Sequence, residues 1–152
     1  MDSDEEPTIT DPAEAAWAAA QRARVIDYLK TQRVEHAGVS LEPRWFLCPY
    51  VAIWAVRSKA KPDRIGWWAI SGDLPTDYVA CKHEASDADV LLTFSRAWKI
   101  QAEAMSQGKP SPDYGIGPPE RAKEFAPLLL TRAELLEEFA KDMTSDAAAD
   151  EE

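Results

Sequence analysis

The spacing of apolar residues changes along the chain, and each spacing predicts one kind of element. Residues 12–33 have alanine and other apolar residues three or four positions apart, and Asp11, Pro12 and Glu14 mark the start of this run. An N-cap carboxylate, a proline in the first turn and a glutamate three residues after the cap are typical of a helix start. We therefore expect the first helix to extend from residue 12 to about Arg33.

Residues 45–58 have a different pattern, because β-branched and aromatic side chains dominate and both alternating faces are apolar. Such a run predicts a strand that is buried on both faces. Pro49 lacks a backbone N–H, so we expect it at the beginning of the strand, on an edge or at a bulge. A turn at 59–63 leads to a second strand, 64–71, and the short connection predicts an antiparallel hairpin. Residues 77–81 fit a short third strand.

The second half of the chain is predicted to be mainly helical. Ser86 and Asp89 have the spacing of a capping box, and Gly108 supplies a left-handed stop for that helix. The segment 109–119, rich in proline and glycine, predicts a loop, and Pro127 is expected to interrupt the C-terminal helical region. Strands grouped between helices predict the α+β class, with a small antiparallel sheet, built from the central hairpin and the short third strand, packed by N-terminal and C-terminal helices.

The formal net charge of −10 is concentrated at the two ends of the chain. Five acidic residues lie in residues 1–11 and five in residues 142–152, whereas residues 12–141 hold 17 acidic and 17 basic residues. We therefore expect acidic disordered tails at both ends of one domain that spans 12–141 and includes the 109–119 loop. A neutral body without concentrated Lys and Arg argues against nucleic-acid binding.

The sequence also predicts where the protein resides. Residues 1–12 are acidic and lack the apolar stretch of a signal peptide, and no run approaches the length of apolar residues that a membrane span needs. Cys48 and Cys81 do not form a CxxC pair, and each is expected to be a buried free thiol. We expect a cytoplasmic protein without membrane contact.

Polar and aromatic side chains suited to chemistry or recognition are concentrated in WWAISGDLPTDY, residues 67–78. This block and the later FSRAW, residues 94–98, resemble an uncharacterised bacterial family with a G-D-L-P-T-D-Y/H block after a Trp-rich strand and an F-S-x-x-W helix. The resemblance spans about residues 12–141 and implies no particular activity.

The block has a structural and a functional interpretation. In the structural one, Gly72 adopts a positive φ, Asp73 caps the turn and Pro75 stiffens it. In the functional one, the block is a binding loop, and adjacent Trp67 and Trp68 point to opposite sheet faces, so that one of them is available as an interface anchor. The candidate binding residues are Trp67, Trp68, Asp73, Leu74, Thr76, Asp77 and Tyr78.

The leading functional hypothesis is a non-enzymatic protein that binds another protein, of the immunity or adaptor type, without a cofactor, a catalytic residue or a metal site. A homodimer through an uncovered strand edge is a further option. One alternative is a small hydrolase or metal-dependent enzyme that uses Asp73, Asp77 and His83; another is a small-molecule sensor. Convergence of those three side chains in a pocket would favour the enzyme, and an exposed aromatic patch would favour the binding protein.

Overall fold

A computed structural model describes residues 9–81, 85–109 and 119–150, with side chains described as far as Thr144. The chain divides into two compact units between Lys82 and His83. The elements are α1 (Pro12–Thr31), β1 (His36–Val39), β2 (Trp45–Leu47), β3 (Val51–Ser58), β4 (Ile65–Gly72), β5 (Asp77–Ala80), α2 (Asp87–Ser106) and α3 (Ala122–Asp150). A short 3₁₀ turn, Pro119–Arg121, precedes α3. The α+β class is confirmed, and the single domain over 12–141 stays a prediction.

The first unit begins with α1, whose start agrees with the sequence prediction. The Asp11 carboxylate accepts a hydrogen bond from the Glu14 N–H at 2.9 Å, and Pro12 occupies the first helical position. The helix ends at Thr31, and Arg33 follows in the left-handed region with a φ of 58°. Its buried side is formed by Ala18, Gln21, Val25 and Leu29. These residues are three or four positions apart, so one stripe of the helix packs on the sheet.

The sheet is antiparallel throughout, in the order β1-β3-β4-β5, with β2 also paired to β3. The hairpin of β3 and β4 and the short strand β5 are confirmed. The prediction of one continuous strand over 45–58 is wrong, because the chain reverses after Leu47. The peptide bond before Pro49 is cis, and the Tyr50 N–H donates to the Leu47 carbonyl at 2.7 Å, so Pro49 lies in the turn between two strands. The strand β1 was not predicted.

Both faces of β3 are buried, as its sequence predicts. On one face, Ala52, Trp54 and Val56 join Ala69 of β4 and the apolar stripe of α1 in a single core. On the other face, Ile53 and its β4 neighbour Ile70 have no exposed surface. Strictly alternating side chains on a strand reach opposite faces, so apolar residues at every position require cover on both sides.

The second unit is a pair of packed helices. The predicted capping box is present: the Ser86 hydroxyl accepts from the Asp89 N–H at 3.0 Å, and the Asp89 carboxylate accepts from the Ser86 N–H at 3.2 Å. Gly108 follows α2 with a φ of 91°. The Ser95 hydroxyl donates to the Ala133 carbonyl at 2.7 Å within the buried contact between the helices.

The helix α3 differs from the sequence prediction in two respects. Pro127 lies inside it without interrupting it, and the helix continues to Asp150, through residues that we assigned to an acidic tail. A proline removes one backbone hydrogen bond, here to the Lys123 carbonyl four residues before it. The buried contact between α3 and α2 offsets this loss. No helix within the described ranges combines the length and the hydropathy required to cross a bilayer.

Candidate functional site at one end of the sheet

Two turns meet at one end of the sheet in the first unit. The loop from Asp73 to Thr76 joins β4 to β5, and the turn before Val51 joins β2 to β3. The Asp73 N–H donates to the Tyr50 carbonyl at 2.9 Å, and Gly72 pairs with Val51 in the sheet. The partly or fully exposed side chains at this end include Leu47, Tyr50, Asp73, Leu74 and Thr76, and we call these five the sheet-end surface.

Gly72 holds these two turns together through its backbone. Its φ of 137° lies in a region that side-chain-bearing residues rarely adopt. A Cβ at this position would lie 2.3 Å from the Tyr50 carbonyl oxygen and 2.8 Å from the Val51 Cα. The Gly72 carbonyl accepts a hydrogen bond from the Arg24 guanidinium of α1 at 3.1 Å. The positive φ expected from the sequence is present, and the close approach explains why only glycine fits.

The two carboxylates of the block lie in different environments. Asp73 is exposed, whereas Asp77 keeps only 6% of its surface accessible. The Asp77 carboxylate accepts from the Tyr78 N–H at 2.8 Å, which is the local side-chain-to-backbone bond typical of turn residues. His83 lies outside the described residues. Among the residues that are described, no group of three or more His, Cys, Asp or Glu side chains could hold a metal ion.

The two tryptophans point to opposite faces of the sheet, as expected. Trp67 is half-buried and packs on the core beneath α1. Trp68 is 4% exposed, and the Arg44 guanidinium lies 4.6 Å from the centroid of its ring. A cation over an indole face is favourable, so Arg44 stabilises Trp68 within the fold. The largest accessible aromatic surface near the block therefore belongs to Tyr50 rather than to either tryptophan.

Other side chains of the block support the fold from within. Ser71 is fully buried, and its hydroxyl accepts a hydrogen bond from the Trp54 indole N–H at 3.1 Å. Tyr78 is half-buried and meets Tyr28 of α1 edge to face, with ring centroids 6.0 Å apart. These contacts anchor β4 to β3 and β5 to α1. They leave Asp73, Leu74 and Thr76 as the accessible part of the loop.

Sequence reasoning did not identify Leu47 and Tyr50, which are 41% and 50% exposed. Both lie in the run that was interpreted as one buried strand. The signal available in the sequence was Pro49, because a proline between two apolar segments also fits a turn. Once the strand is divided there, Leu47 lies at the end of β2 and Tyr50 lies in the turn, and both side chains are accessible.

The cysteines are free and half-buried. Burial, together with the carboxylates of Glu14 and Asp11, raises the pKa of the Cys48 thiol. The thiolate is the nucleophilic form of cysteine, and a raised pKa keeps Cys48 protonated at neutral pH. Cys48 thus lacks the electrostatic environment of a catalytic cysteine.

The fold and the sheet-end surface define a small α+β protein. The two turns at the end of its sheet are held mainly by backbone contacts and by buried side chains. The chain belongs to the family described as Domain of unknown function (DUF4826), whose model matches residues 11–144. No curated protein matches the chain, and no solved structure does.

Proposed function

We propose that this protein acts by binding another protein, and that the sheet-end surface makes the contact. The observation that carries the proposal is the exposure of Tyr50, half of whose surface is accessible, beside the 41% exposed Leu47. Tyrosine is enriched among the residues that contribute most to protein interfaces, because it offers a large contact area with few rotatable bonds.

The rigid backbone beneath Tyr50 supports this role. Its N–H is bonded to the Leu47 carbonyl and its carbonyl to the Asp73 N–H, at 2.7 and 2.9 Å. Because the backbone is already fixed, association costs mainly the rotamer freedom of the exposed side chains. We infer that the partner presents an apolar pocket for the tyrosine ring and the leucine, with polar groups around it that face Asp73 and Thr76.

Within this class, an immunity or adaptor role in the cytoplasm is our specific hypothesis, based on analogy with other small acidic proteins. Association with a second copy through the edge strand β5 is a further prediction. The alternative of a hydrolase or metal enzyme has less support, because its two carboxylates lie in different environments. Asp73 is exposed, whereas Asp77 is buried and accepts a hydrogen bond from the adjacent backbone N–H.

The test is site-specific photo-crosslinking followed by reconstitution. A photoreactive phenylalanine analogue replaces Tyr50 in cells of the source organism, and a second version carries it at Ile65. Ile65 is also an exposed apolar residue, 36% accessible, but begins β4 at the end opposite Gly72. We expect one protein to be captured at position 50 and not at position 65.

The captured protein is then purified and its affinity is measured by calorimetry. We expect Tyr50→Ala to weaken binding by about tenfold or more, and Ile65→Ala to leave it unchanged. Equal affinity of the wild type and Tyr50→Ala, with both folded by circular dichroism, would remove the sheet-end surface from the interaction. Absence of any position-specific crosslink would contradict the proposal as a whole.

A further inference from the structure

The helix α1 contacts both ends of the loop that joins β4 to β5. Before the loop, the Arg24 guanidinium donates to the Gly72 carbonyl at 3.1 Å. After the loop, Tyr28 meets Tyr78 edge to face, with ring centroids 6.0 Å apart. Arg24 and Tyr28 are four residues apart, so their side chains lie on the same side of the helix. One side of α1 therefore supports the loop at both of its ends.

The peptide group between Gly72 and Asp73 is hydrogen-bonded through both its carbonyl and its N–H. Its carbonyl oxygen accepts from the cationic Arg24 side chain, and its N–H donates to the Tyr50 carbonyl at 2.9 Å. Hydrogen bonds from a charged donor are stronger than those between neutral groups. A donor that polarises the carbonyl of a peptide group also strengthens the bond made by the N–H of that group, by about 10–30%. This one peptide group therefore links a side chain of α1 to the backbone of Tyr50.

We propose that Arg24 is a positioning residue for the sheet-end surface, because its hydrogen bond fixes the turn that presents Tyr50. The inference rests on the proposed function of that surface. The other arginine of α1, Arg22, also donates to backbone carbonyls, but to those of Val39 and Ser40 at the end of β1, each at 2.9 Å. Arg24 is exposed, so its replacement leaves no buried cavity, and the effect of a variant reports on the hydrogen bond.

The first test measures amide hydrogen exchange by NMR in the full-length, ¹⁵N-labelled protein without a partner. Arg24→Met removes the donor and keeps much of the apolar length of the side chain. We expect it to lower the protection factor of the Asp73 amide by about fivefold, and to leave that of the Trp54 amide, in the centre of β3, unchanged. Arg24→Lys keeps a charged donor and is expected to stay closer to the wild type. The matched control is Lys30→Met, which removes the same charge from another exposed position of α1.

Three outcomes of this test would overturn the proposal. The first is an Asp73 protection factor that is the same in Arg24→Met as in the wild type. The second is an equal fall at Trp54, which would show general destabilisation, or an equal fall in Lys30→Met, which would show an effect of net charge alone. The third is the same loss in Arg24→Lys as in Arg24→Met, which would exclude the hydrogen bond as the cause.

The second test measures the affinity for the partner that is captured through position 50. We expect Arg24→Met to weaken binding by about fivefold when Tyr50 is present, and to have little further effect in Tyr50→Ala. Equal losses in both backgrounds would overturn the proposal, because Arg24 would then act independently of Tyr50. Wild-type affinity in Tyr50→Ala would instead contradict the proposed function, and the exchange of the Asp73 amide would still report separately on whether Arg24 fixes the turn.

Discussion

Replacing Gly72 by alanine tests whether the two turns at the sheet end depend on one another. The added methyl group meets the backbone rather than a movable side chain, because the Tyr50 carbonyl oxygen lies 2.3 Å and its carbonyl carbon 2.8 Å from the Cβ position. The first residues of β3 must therefore shift away from β4. The hydrogen bond from Asp73 to Tyr50 is expected to weaken with this shift.

The magnitude follows from a comparison with Gly38. Both glycines have a positive φ, 136° at Gly38 and 137° at Gly72, but a Cβ at Gly38 has no atom within 4 Å. Gly38→Ala therefore introduces only backbone strain, about 1–3 kcal/mol. Gly72→Ala adds steric overlap in a packed region, which typically costs about 1–3 kcal/mol more. We expect Gly72→Ala to be less stable than Gly38→Ala by about 2 kcal/mol.

The assay is urea unfolding of the wild type, Gly38→Ala and Gly72→Ala, followed by circular dichroism and by tryptophan fluorescence. An unchanged dependence of the free energy on urea concentration in all three proteins shows that the unfolding transition itself is the same. A free energy of unfolding that is equal for the two variants would refute the reasoning. In that case the contact between Gly72 and Tyr50 would contribute nothing beyond the backbone conformation.

Three further predictions concern single interactions. Ser86→Ala removes half of the capping box of α2 and is expected to lower the free energy of unfolding by about 1 kcal/mol; an unchanged thermal midpoint would contradict this. Ser71→Ala leaves the buried Trp54 indole N–H without its acceptor and should cost about 1–3 kcal/mol in urea unfolding, whereas a neutral result would show that the bond is dispensable. The hydrogen bond from Lys99 lowers the pKa of Glu137 below its usual 4.5, so the stability that the pair contributes is present above that pH and is lost as the pH falls through the lowered value. Lys99→Met should abolish this acid-dependent part, measured as the free energy of unfolding between about pH 3 and 6; the same pH dependence in both proteins would refute the assignment.

Features specified by neighbouring residues were predictable from the sequence. The caps at Asp11 and Ser86 require only a side-chain oxygen and a backbone N–H three residues later, and both are found in the structure. The β3–β4 hairpin was equally predictable, because a short polar turn between two apolar runs leaves few other arrangements of the two strands. The α+β class followed from the order of these elements.

Features that depend on distant partners were not predictable in the same way. The strand β1 contains Gly38, and its pairing with β3 includes a register shift, so a local propensity for strand is weak there. This strand forms because the backbone of β3 provides hydrogen-bonding partners for it. Pro127 was expected to break α3, but the contact with α2 stabilises the helix on both sides of the proline. The exposure of Tyr50 depends on how the chain reverses between β2 and β3. The pattern of apolar residues within this one segment does not specify that reversal.

The block at 67–78 illustrates why residue types alone are a weak guide to chemistry. A serine, two aspartates and a tyrosine next to a strand suggest an acid–base or nucleophilic site until their partners are known. Here the Ser71 hydroxyl accepts from a buried indole, and the Asp77 carboxylate accepts from the adjacent backbone N–H. A group that acts on a substrate must be reachable by it, and both of these side chains are buried. The block therefore fixes the backbone at this end of the sheet. Recognition through the sheet-end surface, which includes the exposed Tyr50, is our proposal.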